Sequence, residues 1–349
     1  MNLPHSATAK PTMRRNVIVM AVALLPISFL IALSFGTISL PFQEVIGLLL
    51  SDSKPTRTTL IVEQIRLPRA LLACLIGALL GICGATTQGL FRNPLADPSL
   101  IGVTAGAATG ASLAIFFAAS FTHTNGVSGL SLISLGGFLG GGLAVILVYR
   151  IATDKQGTSV ATMLLAGIAI TAIAGSVTSM LEFFGDEEML RRISLWRMGG
   201  LDGASYDRVT IAVVFCAIIF TALPKFSTAL NALLLGESEA RHLGVNVQKT
   251  KVYLILLVAA GVGVSVALAG TIAFVGLIVP HIVRLMIGPD HRYLLPVSAL
   301  GGAILLLLSD TVARTVFAPI ELPVGLVTAL LGAPFFIVLL RQRHNFGVR

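Results

Sequence analysis

A run of about 20 predominantly apolar residues can cross the hydrocarbon core of a bilayer as a helix, and this chain returns to such runs along its whole length. They lie near 16–38, 69–91, 100–120, 131–151, 159–183, 208–223, 252–269, 271–288, 295–313 and 323–340. Little that is polar separates the third from the fourth or the seventh from the eighth, so nine spans remain an alternative, with ten the better fit. In lipid every backbone N–H and C=O must be satisfied internally, which a helix does within one segment. The expected fold is therefore all-α: a polytopic membrane helix bundle of about ten transmembrane helices, forming one domain over residues 1–349. Of the 349 residues 55% are apolar and only 11% charged, too little charge to cover a soluble domain of that size.

The first run follows Lys10, Arg14 and Arg15 and is longer than the apolar core of a cleaved signal peptide; it is read as a retained first helix behind a cytoplasmic tail, residues 1–15. With the N-terminus in the cytoplasm and the spans alternating, most of the 24 basic residues fall in cytoplasmic segments, Arg92, Arg150, Lys155, Lys225 and Arg341 among them. That is the sign expected of a membrane topology with both termini inside. The net charge of +8 thus follows from topology, and no basic run is interleaved with aromatics, so the expected partner is a lipid bilayer and not nucleic acid.

Glycine is frequent within the apolar runs. Gly102, Gly106 and Gly110 form a repeated small-xxx-small face, and Gly136, Gly137, Gly140, Gly141 and Gly142 crowd the next run. Such faces let helix backbones approach closely, which predicts a tight bundle. Cys74, Cys83 and Cys216 all lie in apolar runs without metal-ligand spacing and are read as packing residues; no metal site is expected.

The chain has no GxxxxGK[ST] and no Gly-Lys pair, so it cannot hold a nucleotide as P-loop proteins do. It has no HExxH or GxSxG, and its acidic residues within the runs are sparse, with Glu182 and Asp310 near helix ends. A proton-coupled carrier usually needs ionisable groups near the midplane, which weighs against a secondary transporter, and no paired catalytic groups suggest an enzyme. Residues 233–244 are different in character. Glu237 and Arg241 stand at i,i+4, Ala240 and Leu243 share an apolar face with Leu235, and Gly244 offers a C-terminal stop. The segment predicts a short amphipathic helix on the cytoplasmic side, lying on the membrane surface or docking a cytoplasmic partner.

That segment resembles the coupling helix of the permeases of ABC importers for iron chelates and cobalamin, the FecCD or BtuC-like family. Other blocks resemble the family in the same order: Arg66-Leu-Pro-Arg69, Gln88 through Pro98, Gly270 through Arg284, Glu321 through Gly325, and Gly332-Ala-Pro334. The resemblance spans roughly 16–341. It implies the BtuC-like fold of type II importers and an inner-membrane location. It also implies a second copy of the permease or a close paralogue, two cytoplasmic ATP-binding subunits that carry the ATP and Mg, and a periplasmic substrate-binding protein, with no cofactor in this chain.

The resemblance also assigns residues. Arg66, Arg69 and Arg314 correspond to arginines that meet glutamates of the binding protein, with snorkelling to lipid headgroups as the alternative. Gly236, Glu237, Ala240, Arg241, Leu243 and Gly244 correspond to the ATPase-coupling helix, and Thr158 and Ser159 to an inner gate. Arg191, Arg192 and Arg197 take no assignment from the resemblance and either line the outer mouth or are simply solvated. Asn93 and Asp97, each before a proline, suit a rigid turn. His281, beside Pro280, is read as structural. Iron-siderophore or heme is the expected cargo, with cobalamin the alternative; Met198 and Tyr206 are weak substitutes for heme-ligating histidines.

Overall fold

The computed structural model describes residues 11–50, 56–121, 127–154 and 157–345. Most of the expected tail, residues 1–10, and Lys155 lie outside them. All ten expected spans are helical. They are α1 (Pro11–Ser34), α4 (Leu67–Leu90), α5 (Val103–Phe121), α6 (Val127–Ala152), α7 (Val160–Phe184), α9 (Tyr206–Ala222), α12 (Val247–Ala269), α13 (Val275–Ile287), α14 (His291–Thr315) and α15 (Val324–Asn345). Shorter helices join them: α2 (Phe42–Leu50), α3 (Arg57–Leu60), α8 (Glu187–Met198), α10 (Ser227–Leu234) and α11 (Glu237–His242). Between α6 and α7 a two-stranded hairpin pairs β1 (Thr153–Asp154) with β2 (Gly157–Thr158), Thr153 opposite Thr158.

The organising element is α4. It continues α3 through a π-helical segment, Ile61–Arg66, into one 34-residue helix, 83% of whose most apolar stretch is enclosed by the rest of the chain. The helix begins in a capping box between Thr56 and Thr59, which satisfies two of its orphan donors. The π turn has a local cause. Pro68 has no N–H and its ring crowds the preceding turn, and a wider turn just before it relieves that conflict. The Leu67 N–H accordingly reaches back to the Val62 carbonyl. The wider turn shifts the helical phase, and both Arg66 and Arg69 end up buried.

Helices α1, α9, α12, α13 and α14 surround α4. Contact with α14 is close because a Cβ on Gly77 would lie 2.3 Å from the Gly302 carbonyl oxygen. The expected glycine seam joins α5 to α6, where a Cβ on Gly110 would lie 2.1 Å from the Gly136 oxygen and one on Gly106 2.5 Å from the Gly140 oxygen. Gly102 is the exception. Its φ of +77° ends a 3-10 turn over Pro98–Ile101 that Asp97 caps, so it serves a turn and the span starts at Val103 rather than at 100. The expected span 271–288 also starts late, at Val275, because Gly270 and Phe274 adopt positive φ and the backbone between them passes against Gly199 and Gly325.

Candidate functional site

The loops gather at two ends of the bundle. One end holds the start of α1, the hairpin, α10, α11 and the α13–α14 turn; the other holds the end of α1, α2, α3, α8 and the loop after α14.

At the first end the expected amphipathic helix 233–244 is two helices. Gly236 at φ +118° breaks it, leaving Leu233 and Leu234 on α10 and only Glu237–His242 on α11. The stop at Gly244 is present in the structure. Its φ is +83°, its N–H reaches the Arg241 carbonyl, and the Val245 N–H reaches that of Ala240, the paired bonds of a Schellman cap. Ala240 is buried with Ala232, Leu233 and Val247. Leu243 does not share that buried face: it is 64% exposed, and Leu235 67%, because the break at Gly236 rotates α11 relative to α10.

Glu237 also has a different main partner from the one its spacing suggested. Arg241 lies 3.9 Å away, whereas Lys251 Nζ on α12 lies 2.7 Å from Glu237 Oε1. The same Nζ donates to the Thr158 carbonyl at 2.8 Å. Gln248 on α12 accepts from the Thr158 N–H at 2.9 Å, and its own Nε2 donates to Thr158 Oγ1. The Thr153 and Thr158 hydroxyls meet at 2.9 Å across the hairpin. Thr158 is thereby buried and fully engaged, while Ser159 is exposed and caps α7 by accepting from the Thr162 N–H. A cleft of about 460 Å³ lies over this polar knot, bounded by Gly157, Glu237, Arg241, Asn246 and Gln248.

Beside it the α13–α14 turn is tied to α10 and α1. Asn231 Nδ2 donates to Asp290 at 2.7 Å, and Arg14 Nε donates to the Ile287 carbonyl at 3.1 Å. Burial pushes the Asp290 carboxyl up, but hydrogen bonds from Asn231 and the Arg292 backbone, with the charges of Arg292 and Arg14, outweigh it and hold the carboxyl below its ordinary value. His281 is buried in α13 with the Phe335 ring across from it. The Asn93 side chain accepts from the Leu95 N–H, and Asp97 from the Ser99 N–H, the Asx turns expected of that loop.

At the opposite end Arg66, Arg69 and Arg314 form one buried cluster. Arg66 donates to the Leu33, Ser34 and Ile38 carbonyls and Arg314 to that of Ala32, so both satisfy the orphan acceptors at the C-terminus of α1. Arg69 spans two acids, with Nη2 2.9 Å from Asp310 and Nη1 2.6 Å from Glu321. Asp310, 1% exposed, is also 3.0 Å from Arg314 Nε. Glu321, 38% exposed, is the member that reaches the surface. Arg191 and Arg192 are exposed on α8, and Arg197 pairs with Glu182 at 3.0 Å. Tyr206 donates to the Glu63 carbonyl. Sequence reasoning missed Lys251, Gln248, Asp310 and Glu321 as members of these clusters. Lys251 lies just outside the expected span 252–269, whereas its helix begins earlier, at Val247.

A third feature is the outer surface of α7, the least enclosed of the long spans. Thr171, Gly175, Ser176 and Ser179 are exposed there. A cleft of about 440 Å³ opens where α7 meets α5 and α8, lined by Ser99, Thr104, Thr171, Arg197 and Thr271. The same surface exposes Leu165, Ile168, Ile173, Met180 and Phe183; hydroxyls and glycine interleaved with such side chains suit a protein contact as well as lipid.

The model of the FecCD transport family matches residues 24–342. The chain belongs to the FecCD transport family. It is the multi-pass membrane permease of an ABC importer with the BtuC-like helix bundle. Among curated relatives, the hemin transport system permease protein HmuU of Yersinia pestis is 45% identical over 287 residues, 81% of this chain and 84% of that protein. The cobalamin import system permease protein BtuC of Halobacterium salinarum is 44% identical over 290 residues, 83% of this chain and 76% of that protein. A solved structure described as an inward-facing conformation of a metal-chelate type ABC transporter aligns with a TM-score of 0.80 at 34% identity, covering 94% of this chain and 99% of that one. Members of the family thus share a bundle while differing in cargo.

Proposed function

We propose that the chain moves an iron(III) chelate, heme or a ferric siderophore, from periplasm to cytoplasm across the bacterial inner membrane by alternating access. Two copies, or one copy and a close paralogue, face each other across the hydroxyl-bearing surface of α7. The end with the hairpin and α11 lies in the cytoplasm. Two ATP-binding subunits, carrying ATP and Mg, dock there against Gly236, Glu237, Arg241, Leu243 and Gly244, with the buried Ala240 seating α11 on the bundle. The chain itself carries no cofactor. Thr158 and Ser159 form the inner gate, and a periplasmic binding protein delivers the cargo to the other end. There an incoming glutamate takes the place of Glu321 on Arg69, with Arg66 and Arg314 holding the site in shape. Carboxylate exchange on a guanidinium keeps the charge balance while fixing one orientation.

The observation that carries this reading is α11: a short helix flanked by two bare leucines, on a chain without a nucleotide-binding motif. Heme is favoured by the hemin permease relative, and the cobalamin relative at nearly equal identity supports vitamin B12 as the second reading.

The test is uptake into proteoliposomes containing the chain, its ATPase and its binding protein, offered hemin, a ferric hydroxamate or cyanocobalamin. ATP-dependent uptake of an iron chelate is expected, abolished when the ATPase is left out. Preference for cyanocobalamin would select the second reading. Uptake driven by a proton gradient without the partners, or ATP hydrolysis by the chain alone, would overturn the proposal.

A further inference from the structure

An ammonium group shut away from water keeps its charge only if its surroundings replace the lost hydration, so its partners indicate what it is there to hold. Lys251 is such a group. Its side chain is 4% exposed, and its Nζ touches two elements that are otherwise separate. One is Glu237, the first residue of α11. The other is the carbonyl of Thr158, on the strand that runs directly into α7.

The geometry points to Lys251 as the positioning residue that carries movement of α11 to the inner gate. This rests on the proposed docking of an ATPase at α11 and gating at Thr158 and Ser159. Three features support it. The contact is ionic on one side and a charge-assisted hydrogen bond on the other, so both halves are strong and directional. Gln248, one helical turn before Lys251, accepts from the Thr158 N–H and donates to its hydroxyl, so α12 grips the gate residue by its N–H, carbonyl and hydroxyl. Finally, α11 is joined to its neighbours through Gly236 and Gly244, both at positive φ. A six-residue helix between two such joints can shift as a unit, and Glu237 then pulls on Lys251 from its first turn. The i,i+4 pair with Arg241, at 3.9 Å and largely solvated, has no comparable reach.

The test uses the complete importer in proteoliposomes, with the cargo found to be transported, and reads cargo moved per ATP hydrolysed. A spin label on exposed Ala161, just inside α7, reports the separation of the two gates with and without nucleotide. Lys251→Met is expected to keep its ATPase subunits and hydrolyse ATP, yet to move at least about tenfold less cargo per ATP, with a label separation that no longer follows nucleotide. Lys251→Arg, which keeps the charge and the donors, is expected to stay within about twofold of the parent. The exchange Glu237→Lys with Lys251→Glu restores the ion pair but removes the donor to Thr158, and is expected to remain uncoupled.

Lys251→Met with unchanged cargo per ATP would overturn the inference, and so would parallel loss of hydrolysis and transport at constant ratio. If Lys251→Met does not assemble, Glu237→Gln decides: uncoupling with the ATPase subunits retained supports the strut, and normal coupling or loss of those subunits refutes it. A parent complex that transports nothing with ATP would instead remove the transport reading on which the inference stands, and is distinguished by being seen before any variant is made.

Discussion

Asp310 shows how much a single side chain can decide. It is the shared counterion of Arg69 and Arg314 and is almost wholly buried. Removing one partner from a buried ionic group leaves uncompensated charge and typically costs about 3–5 kcal/mol. Asp310→Ala is therefore expected to destabilise the chain by about that amount, measured as unfolding by denaturing detergent in mixed micelles. A variant as stable as the parent would show that the backbone carbonyls of α1 suffice for Arg314 and that Glu321 suffices for Arg69. The cluster also illustrates what one sequence conceals. Arg66, Arg69 and Arg314 stand out as charges beside apolar runs, but nothing local says that they point inward onto α1 and α14. The pairing of Arg69 with Asp310 crosses 241 positions. Glu237 carries the same lesson at shorter range, since its i,i+4 neighbour is visible in the sequence and its closer partner Lys251 is not.

At the scale of elements, hydropathy located a helix at each of the ten expected places, seven of them long and apolar enough among the described residues to cross a membrane, because burial in lipid imposes a length and a composition that any window can detect. What it missed were backbone events. The breaks at Gly236 and at 270–274 and the π turn before Pro68 depend on local dihedrals that hydropathy does not register. The glycine seam between α5 and α6 was visible as a pattern and is real as a contact, except at Gly102. Gly110→Ala is expected to force those helices apart, since its Cβ would meet the Gly136 oxygen at 2.1 Å; overpacking of this kind costs about 1–3 kcal/mol or more. Gly142→Ala is the matched control, because a Cβ there meets nothing within 4 Å. A thermal melt in detergent should show a clear drop for the first and none for the second. Equal melting of the two would mean that the seam is looser than its glycines imply.

On the scale of the whole molecule, the proposed ATPase docking falls on the end that carries α11. Leu235 and Leu243 are exposed and flank α11, so charging them should leave the bundle intact. Leu235→Asp with Leu243→Asp is expected to abolish co-purification of the ATPase while the chain remains folded, checked by size-exclusion chromatography alongside affinity capture. Retained capture would move the docking surface elsewhere. The sequence could announce such an end through its family blocks, but not through composition, which establishes only that the chain lives in a membrane. Relatives of nearly equal identity are named for hemin and for cobalamin.

The enclosure of α4 has a consequence for how the chain is made. In the finished bundle this helix meets other helices on nearly every side, yet its side chains are as apolar as those of a helix that faces lipid. Packing alone would not demand that, since interhelical surfaces in membranes tolerate small and polar residues. Entry into the bilayer does demand it, because α4 emerges from the ribosome before α9, α12, α13 and α14, most of the helices that will surround it. Its hydrophobicity therefore belongs to an interval in biogenesis when it stands in lipid without those later helices, and Arg66 and Arg69 must wait at the interface until α14 arrives with Asp310.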